Sequence, residues 1–178
     1  MKKIALVFLA CILCISLFIP SLSVASASDS VKVSMSFNGT ARVGQEMVLR
    51  ITVSKPTKEL AGLEFALDFD GAMLTPTVTA NDENGSKLAK LITKMPKNWG
   101  QMCHYSETEK RYYFRFVMPE DGVGLKNENE IIIDIPFTVK ATGVITFKIP
   151  NKDIIAVVND SNLSMISGKG EIYKVINR

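Results

Sequence analysis

The chain has 178 residues, 47% hydrophobic and 22% charged, with a formal net charge of +3. Those totals mix two unlike parts. Lys2 and Lys3 open the chain, Ile4 to Ile19 is apolar apart from Ser16, and a short small-residue stretch ends Ala25-Ser26-Ala27. That order of basic start, apolar run and A-x-A site is the layout of a secretory signal peptide over residues 1–27. Its apolar run falls short of the ~20 residues that span a bilayer, and Pro20 favours cleavage over retention as an anchor.

Cleavage leaves residues 28–178, in which 19 basic residues face 18 acidic ones. A net charge of +1 gives no basic patch on which nucleic-acid binding could rest. Cys11 and Cys14 leave with the leader, so Cys103 stands alone and an intramolecular disulfide is excluded. A chain of ~150 residues can bury about two-thirds of its unfolded surface, enough for a core without cross-links.

Along the rest of the chain the hydrophobic period is two. Val31–Phe37 alternates apolar and polar, Asn38-Gly39-Thr40 turns it, and Met47–Val53 continues until Pro56. Leu63–Phe69 puts Leu63, Phe65, Leu67 and Phe69 on one face and Glu64, Ala66 and Asp68 on the other. Further strands are expected at Tyr113–Val117, Ile131–Val139, Val144–Ile149, Ile154–Val158 and Glu171–Val175. Turn residues separate them, at Asp70-Gly71, Asn84-Gly85, Asp121-Gly122, Thr142-Gly143 and Asn159-Asp160. Only Ser86–Met95 has helical spacing, at Leu88, Leu91 and Ile92, and Pro96 closes it within one turn or a loop. One antiparallel β-sandwich or barrel over 28–178 is the expected architecture.

The sequence offers little catalytic chemistry. Cys103 and His104 are adjacent, so on a strand they point to opposite faces and cannot act as nucleophile and base. A buried thiol and a surface imidazole are expected, with no metal set and no cofactor. Asp68 and Asp70 stand about 6 to 7 Å apart along a strand, a spacing a glycosidase could use. Asp70-Gly71 is equally a turn signal. Asp82-Glu83-Asn84-Gly85 and Asn127-Glu128-Asn129-Glu130 carry oxygen ligands suited to calcium but lack EF-hand spacing, and read as polar loops. Asn38, Asn84, Asn159 and Asn162 fit the glycosylation sequon. Trp99, Tyr105 and Tyr112, if aligned on one edge, could stack on sugar rings as in a carbohydrate-binding module; a core Trp with peripheral Tyr is the alternative.

From Val31 to about Val158 the order of features resembles a cohesin domain. Val43-Gly44-Gln45-Glu46-Met47-Val48 resembles the turn before a Val-rich strand. Leu60–Leu74 resembles the strand ending in Tyr-Asp-Pro-x-x-Leu, with Phe69 for Tyr and Gly71 for Pro. Ile135-Pro136-Phe137-Thr138-Val139-Lys140 followed by Gly143 resembles a later strand. The resemblance implies a nine-stranded jelly roll with a protein-binding face and no active site. The implied partner is the dockerin of another protein, in extracellular polysaccharide degradation, with calcium held by the dockerin. It places partner contacts on Gly62, Glu64, Asp68 and Asp70: Glu64 matches an acidic gripping residue, while Gly62 replaces an Asn of type I members. The segment from Ser86 to Gln101, with Lys87, Lys90, Lys94 and Lys97, looks longer and more basic than in the family. A secreted, non-enzymatic monomer binding a dockerin-bearing protein is therefore expected, with direct polysaccharide binding as the alternative.

Overall fold

A computed structural model describes residues 30–38, 41–54, 56–80, 87–126 and 129–177; the expected leader lies outside them. Two β-sheets face each other across an apolar core, and there is no α-helix among the described residues. The first sheet is built on β1 (Ser30–Asn38), β2 (Glu46–Ser54) and β8 (Glu130–Val139), with β4 (Leu74–Pro76) and β5 (Ile92–Lys94) on the far edge of β8. The second centres on β3 (Leu60–Phe69). Along one edge β3 pairs with β7 (Arg111–Val117), which carries β6 (Gly100–Ser106) outside it. The other edge of β3 is shared by β10 (Ile155–Val158) and β9 (Gly143–Lys148), and β12 (Ile172–Asn177) lies beyond β9. β11 (Met165–Lys169) joins the sheets, antiparallel to β10 and parallel to β1. Every other pairing is antiparallel.

This is the expected all-β sandwich with more strands than the nine anticipated, twelve among the described residues. The additional ones, including three-residue β4 and β5, are too short or too weakly alternating to show as a period-two signal. The helical spacing near Leu88 resolves as one 3₁₀ turn over Ala89–Leu91 that buries Leu88 and Leu91 before β5 begins.

Alternation fixes which way each strand faces. β8 alternates buried and half-buried side chains along its whole length, and β2 pairs with it from Glu46↔Thr138 to Ser54↔Glu130. Pro136 sits mid-strand opposite Val48. Its carbonyl accepts the Thr77 N–H at 3.0 Å on the side away from β2, so its missing donor also points away and the β2 ladder is intact. Between the sheets, Phe69 of β3 meets Phe137 of β8 edge-on at 5.0 Å, and Phe137 meets Phe147 of β9 at 5.4 Å. Fully buried Phe65, Phe114, Phe116, Ile51 and Ile133 fill the remaining space. Each such side chain contributes about 1.5–3 kcal/mol on leaving water.

Candidate partner-binding interface

Parity on β3 follows the alternation read from its sequence. Leu63, Phe65, Leu67 and Phe69 face the core, and Gly62, Glu64, Ala66 and Asp68 belong to the outward side. Register extends that side into rows. Glu64 stands opposite Arg115 of β7 and Ile155 of β10; Arg115 in turn stands opposite Met102 of β6. Gly62 stands between Val117 and Val157, and Val157 faces Met165 of β11. On the other side of Glu64, Ala66 faces Tyr113, which faces His104.

The charges of this surface are closed on one another. Arg115 Nε donates to Glu64 Oε2 at 2.7 Å, and that bond raises the guanidinium pKa above its ordinary value. Arg111 donates through Nε to Asp68 and places Nη1 3.2 Å from Asp153. Its hydrogen bond to Asp68 is the main cause raising its pKa. Tyr113 lies beneath the Arg111 guanidinium, 5.8 Å from ring centroid to Cζ, and stacks with His104 at 6.2 Å. The Tyr113 hydroxyl donates to Glu109, which pushes the phenol pKa up.

Apolar side chains surround these pairs. Met102 is 60% exposed, Val117 52%, Ile155 46% and Met165 76%. Contiguous exposure of this kind marks interaction surfaces. Two shallow hollows flank the Glu64–Arg115 pair. One, about 140 Å³, lies over Met102, His104 and Tyr113. The other, about 150 Å³, lies over Gly62 between Val117, Ile155 and Val157. A Cβ on Gly62 would meet the Phe116 carbonyl oxygen at 3.5 Å and Val157 Cβ at 3.7 Å, ordinary contact distances, so the missing side chain is what opens the floor.

Gly62, Glu64 and Asp68 thus fall on one surface, and Asp70 does not. Asp70 lies one residue past β3, where its carboxylate accepts the Ala72 N–H at 2.9 Å and its carbonyl accepts from Met73 and Leu74. The pair therefore does not share a strand face. Asp68 is held by Arg111, and Asp70 closes a turn.

The aromatic strip is also corrected. Trp99 is 3% exposed and donates its indole N–H to the Val123 carbonyl at 2.8 Å. Tyr105 and Tyr112 are buried against each other at 4.9 Å between ring centroids, and the Tyr112 hydroxyl donates to the Val78 carbonyl. Burial raises the Tyr105 phenol to about 12 and pushes Tyr112 up as well. None of the three can stack on a sugar, because parity and packing turn them inward.

Cys103 and His104 occupy opposite faces of β6 as expected. Burial lifts the Cys103 thiol to about 12, whereas His104 is exposed beside Tyr113. Residues 82–85, 127 and 128 of the polar loops lie outside the described residues, and Glu130 is paired with Lys94 at 2.7 Å. Among the described residues no group of His, Cys, Asp and Glu is arranged to hold a metal. Of the sequon asparagines, Asn159 donates its amide to Glu59 at 2.9 Å, and Asn84 lies outside the described residues.

No family sequence model and no curated protein matches the chain. Solved structures do. A cohesin module from a family 33 glycoside hydrolase of Clostridium perfringens superposes with a TM-score of 0.60 at 8% identity, covering 84% of this chain and 97% of that one. The fold is that of a cohesin module. A type I cohesin of a cohesin–dockerin complex from Clostridium thermocellum matches with a TM-score of 0.55 at 12% identity over 83% of this chain and 99% of that one. The cohesin CaCohA2 of Clostridium acetobutylicum matches in its solution structure with a TM-score of 0.52 at 14% identity over 84% and 92%. At such identities the likeness is one of fold, and the side chains on the cohesin-like sandwich are this chain's own.

Sequence reading missed most of the outward surface. Arg115, Val117 and Ile155 are brought beside β3 by pairing of residues about 50 to 90 apart, and Met102 joins them through the β6–β7 hairpin. The available signal was parity: Tyr112, Phe114 and Phe116 share one side of β7, which leaves Tyr113, Arg115 and Val117 on the other.

Proposed function

We propose that this chain is an exported, non-catalytic binding module whose β6–β7–β3–β10 surface docks a dockerin-type protein. The observation that supports this best is the outward surface itself: mutually closed ion pairs set among exposed Met102, Val117 and Ile155. Interface cores are poor in free charge and rich in apolar side chains. The backbone groups of β3 and β7 are consumed in pairing, so recognition falls to side chains. Glu64 and Arg115 hold each other in place, which lowers the ordering cost when a partner arrives. Dockerin as the partner follows from the cohesin-like fold and from Glu64 standing where the cohesin resemblance expects a gripping acid. Export rests on residues 1–27, and a part in extracellular polysaccharide degradation follows from the dockerin reading.

Titration calorimetry with the dockerins of the source organism tests the proposal. At least one should bind with a dissociation constant of about 10 µM or tighter, and Arg115→Glu should weaken it about tenfold or more. Absence of any complex at that concentration contradicts the proposal.

A further inference from the structure

We infer that the open edge of β12 accepts an extended segment of another protein as an added antiparallel strand, with an acidic residue between two apolar ones at alternate positions. The edge is separate from the β6–β7–β3–β10 surface, so the inference stands apart from the dockerin reading.

Among the described residues β12 pairs only with β9, which leaves its other edge without a neighbour. The ladder decides which groups that edge presents. The Ile149 N–H donates to the Glu171 carbonyl at 2.9 Å, and these residues stand opposite each other one step beyond Ile172↔Lys148. In an antiparallel ladder, hydrogen-bonded pairs alternate with non-bonded ones. Tyr173, Val175 and Asn177 therefore bond to β9, while Ile172, Lys174 and Ile176 direct their N–H and C=O groups to the open edge. The other side of β9 agrees: the Thr146 carbonyl accepts the Asp70 N–H at 3.3 Å, so Thr146, opposite Lys174, is turned towards β3.

The side chains of the same residues face outward. Ile172 is 60% exposed and Ile176 69%, with Val144 beside Ile176 on β9. The alternate residues turn inward, where the Glu171 carboxylate accepts the Met35 N–H at 2.7 Å and Asn177 is buried. Open edges are normally blunted by charge, proline or a covering loop. On β12 only Lys174 serves that purpose, between two bare isoleucines.

Lys174 also selects the occupant. It has no ion-pair partner among the described residues. A second copy of this chain that paired Ile172 with Ile176 would set the two Lys174 side chains directly opposite, an unfavourable like-charge pair. A strand with Asp or Glu opposite Lys174 and apolar residues two places either side gains the ion pair and both apolar pairs. The main-chain groups of the edge then supply affinity and the alternate side chains specificity, as in β-strand addition.

Titration of the isotope-labelled full domain with the capped peptide Thr-Ile-Thr-Glu-Thr-Ile-Thr, followed by amide chemical shifts, tests this. The largest shifts should fall on Ile172, Lys174 and Ile176, with a dissociation constant of about 1 mM or tighter. Replacing the peptide's Glu by Lys should weaken binding about fivefold, and Lys174→Glu should reverse the preference between the two peptides. Methylating the backbone nitrogen of the peptide's Glu blocks the central ladder bond and should cost about tenfold, with no change to the protein's own fold. Arg115→Glu should leave all of these values unchanged. Shifts centred elsewhere, equal binding of the two peptides, indifference to the methyl group, or a dimer formed through β12 without peptide overturns the inference.

Discussion

The sandwich turns two sheets outward, and they differ in kind. On the β1–β2–β8 side the row Ser36–Arg50–Asp134 carries a bidentate pair, Nε to Oδ1 at 2.8 Å and Nη2 to Oδ2 at 2.7 Å, with Thr93 3.4 Å from Asp134 Oδ2. The hollow there, about 480 Å³, is the larger, yet its lining includes Ser36, Arg50 and Asp134. No large exposed hydrophobic lies on β1, β2 or β8, whereas Met102, Val117, Ile155 and Met165 lie on the opposite side of the molecule. Both sheets close their charges in cross-strand pairs, so pairing alone does not mark a binding surface. Exposed apolar side chains around such a pair do, because only they gain from being covered.

The largest expected effect would strike both sides together. Phe137→Ala removes the ring that bridges Phe69 and Phe147, and should cost about 3–5 kcal/mol in denaturant unfolding. One cooperative transition is expected for the variant; separate loss of the two sheets would break the comparison between two faces of one core. Next in size is thiol reactivity. With its pKa near 12 instead of 9, Cys103 should be alkylated at pH 8 roughly a thousandfold more slowly than after unfolding. Rapid labelling of the folded protein would place Cys103 on the outward side of β6.

The comparison sharpens when the two ion pairs are broken separately. Arg50→Ala should lower stability only slightly and leave partner binding unchanged. Arg115→Ala should have a comparably small effect on unfolding and weaken the complex. Trp99→Phe removes the bond to Val123 and should cost about 1 kcal/mol, with no change in affinity electrophoresis on glucans. Retardation of the wild type that vanishes in this variant would restore the sugar-stacking role. The smallest effect concerns pH. The hydrogen bond from Arg50 holds the Asp134 carboxyl below its usual 3.8, so this contribution is present above that pH and is lost as pH falls through the lower folded value. Asp134→Asn should flatten the acid limb of the stability curve by a few tenths of a kcal/mol, less at high salt.

The fold was legible because it is carried by parity, and β3 shows why. Its seven-residue alternation from Leu63 to Phe69 fixes core and outward residues without knowledge of any neighbour. The outward surface was legible only through Gly62, Glu64 and Asp68. Met102 and Ile155 are apolar, and an apolar residue in a strand reads as core until the register shows it standing beside an outward Glu64 or Arg115. Trp99, Tyr105 and Tyr112 failed for the opposite reason. Residue type suggested stacking, but Tyr112 shares parity with Phe114 and Phe116, and the Trp99 indole has its partner inside the fold. β6 and β11 were missed because GQMCHYS and MISGK have weak β patterning, and tertiary pairing supplies what local propensity does not.

The central claim is that the β6–β7–β3–β10 surface is where this protein meets its partner. Amide chemical-shift mapping of the protein titrated with a cognate dockerin tests it most directly. The account predicts the largest shifts at Gly62, Glu64, Met102, Arg115, Val117 and Ile155, with Arg50 and Asp134 unmoved. Shifts centred on Arg50 and Asp134, or none anywhere on the β3–β7 surface, would contradict it.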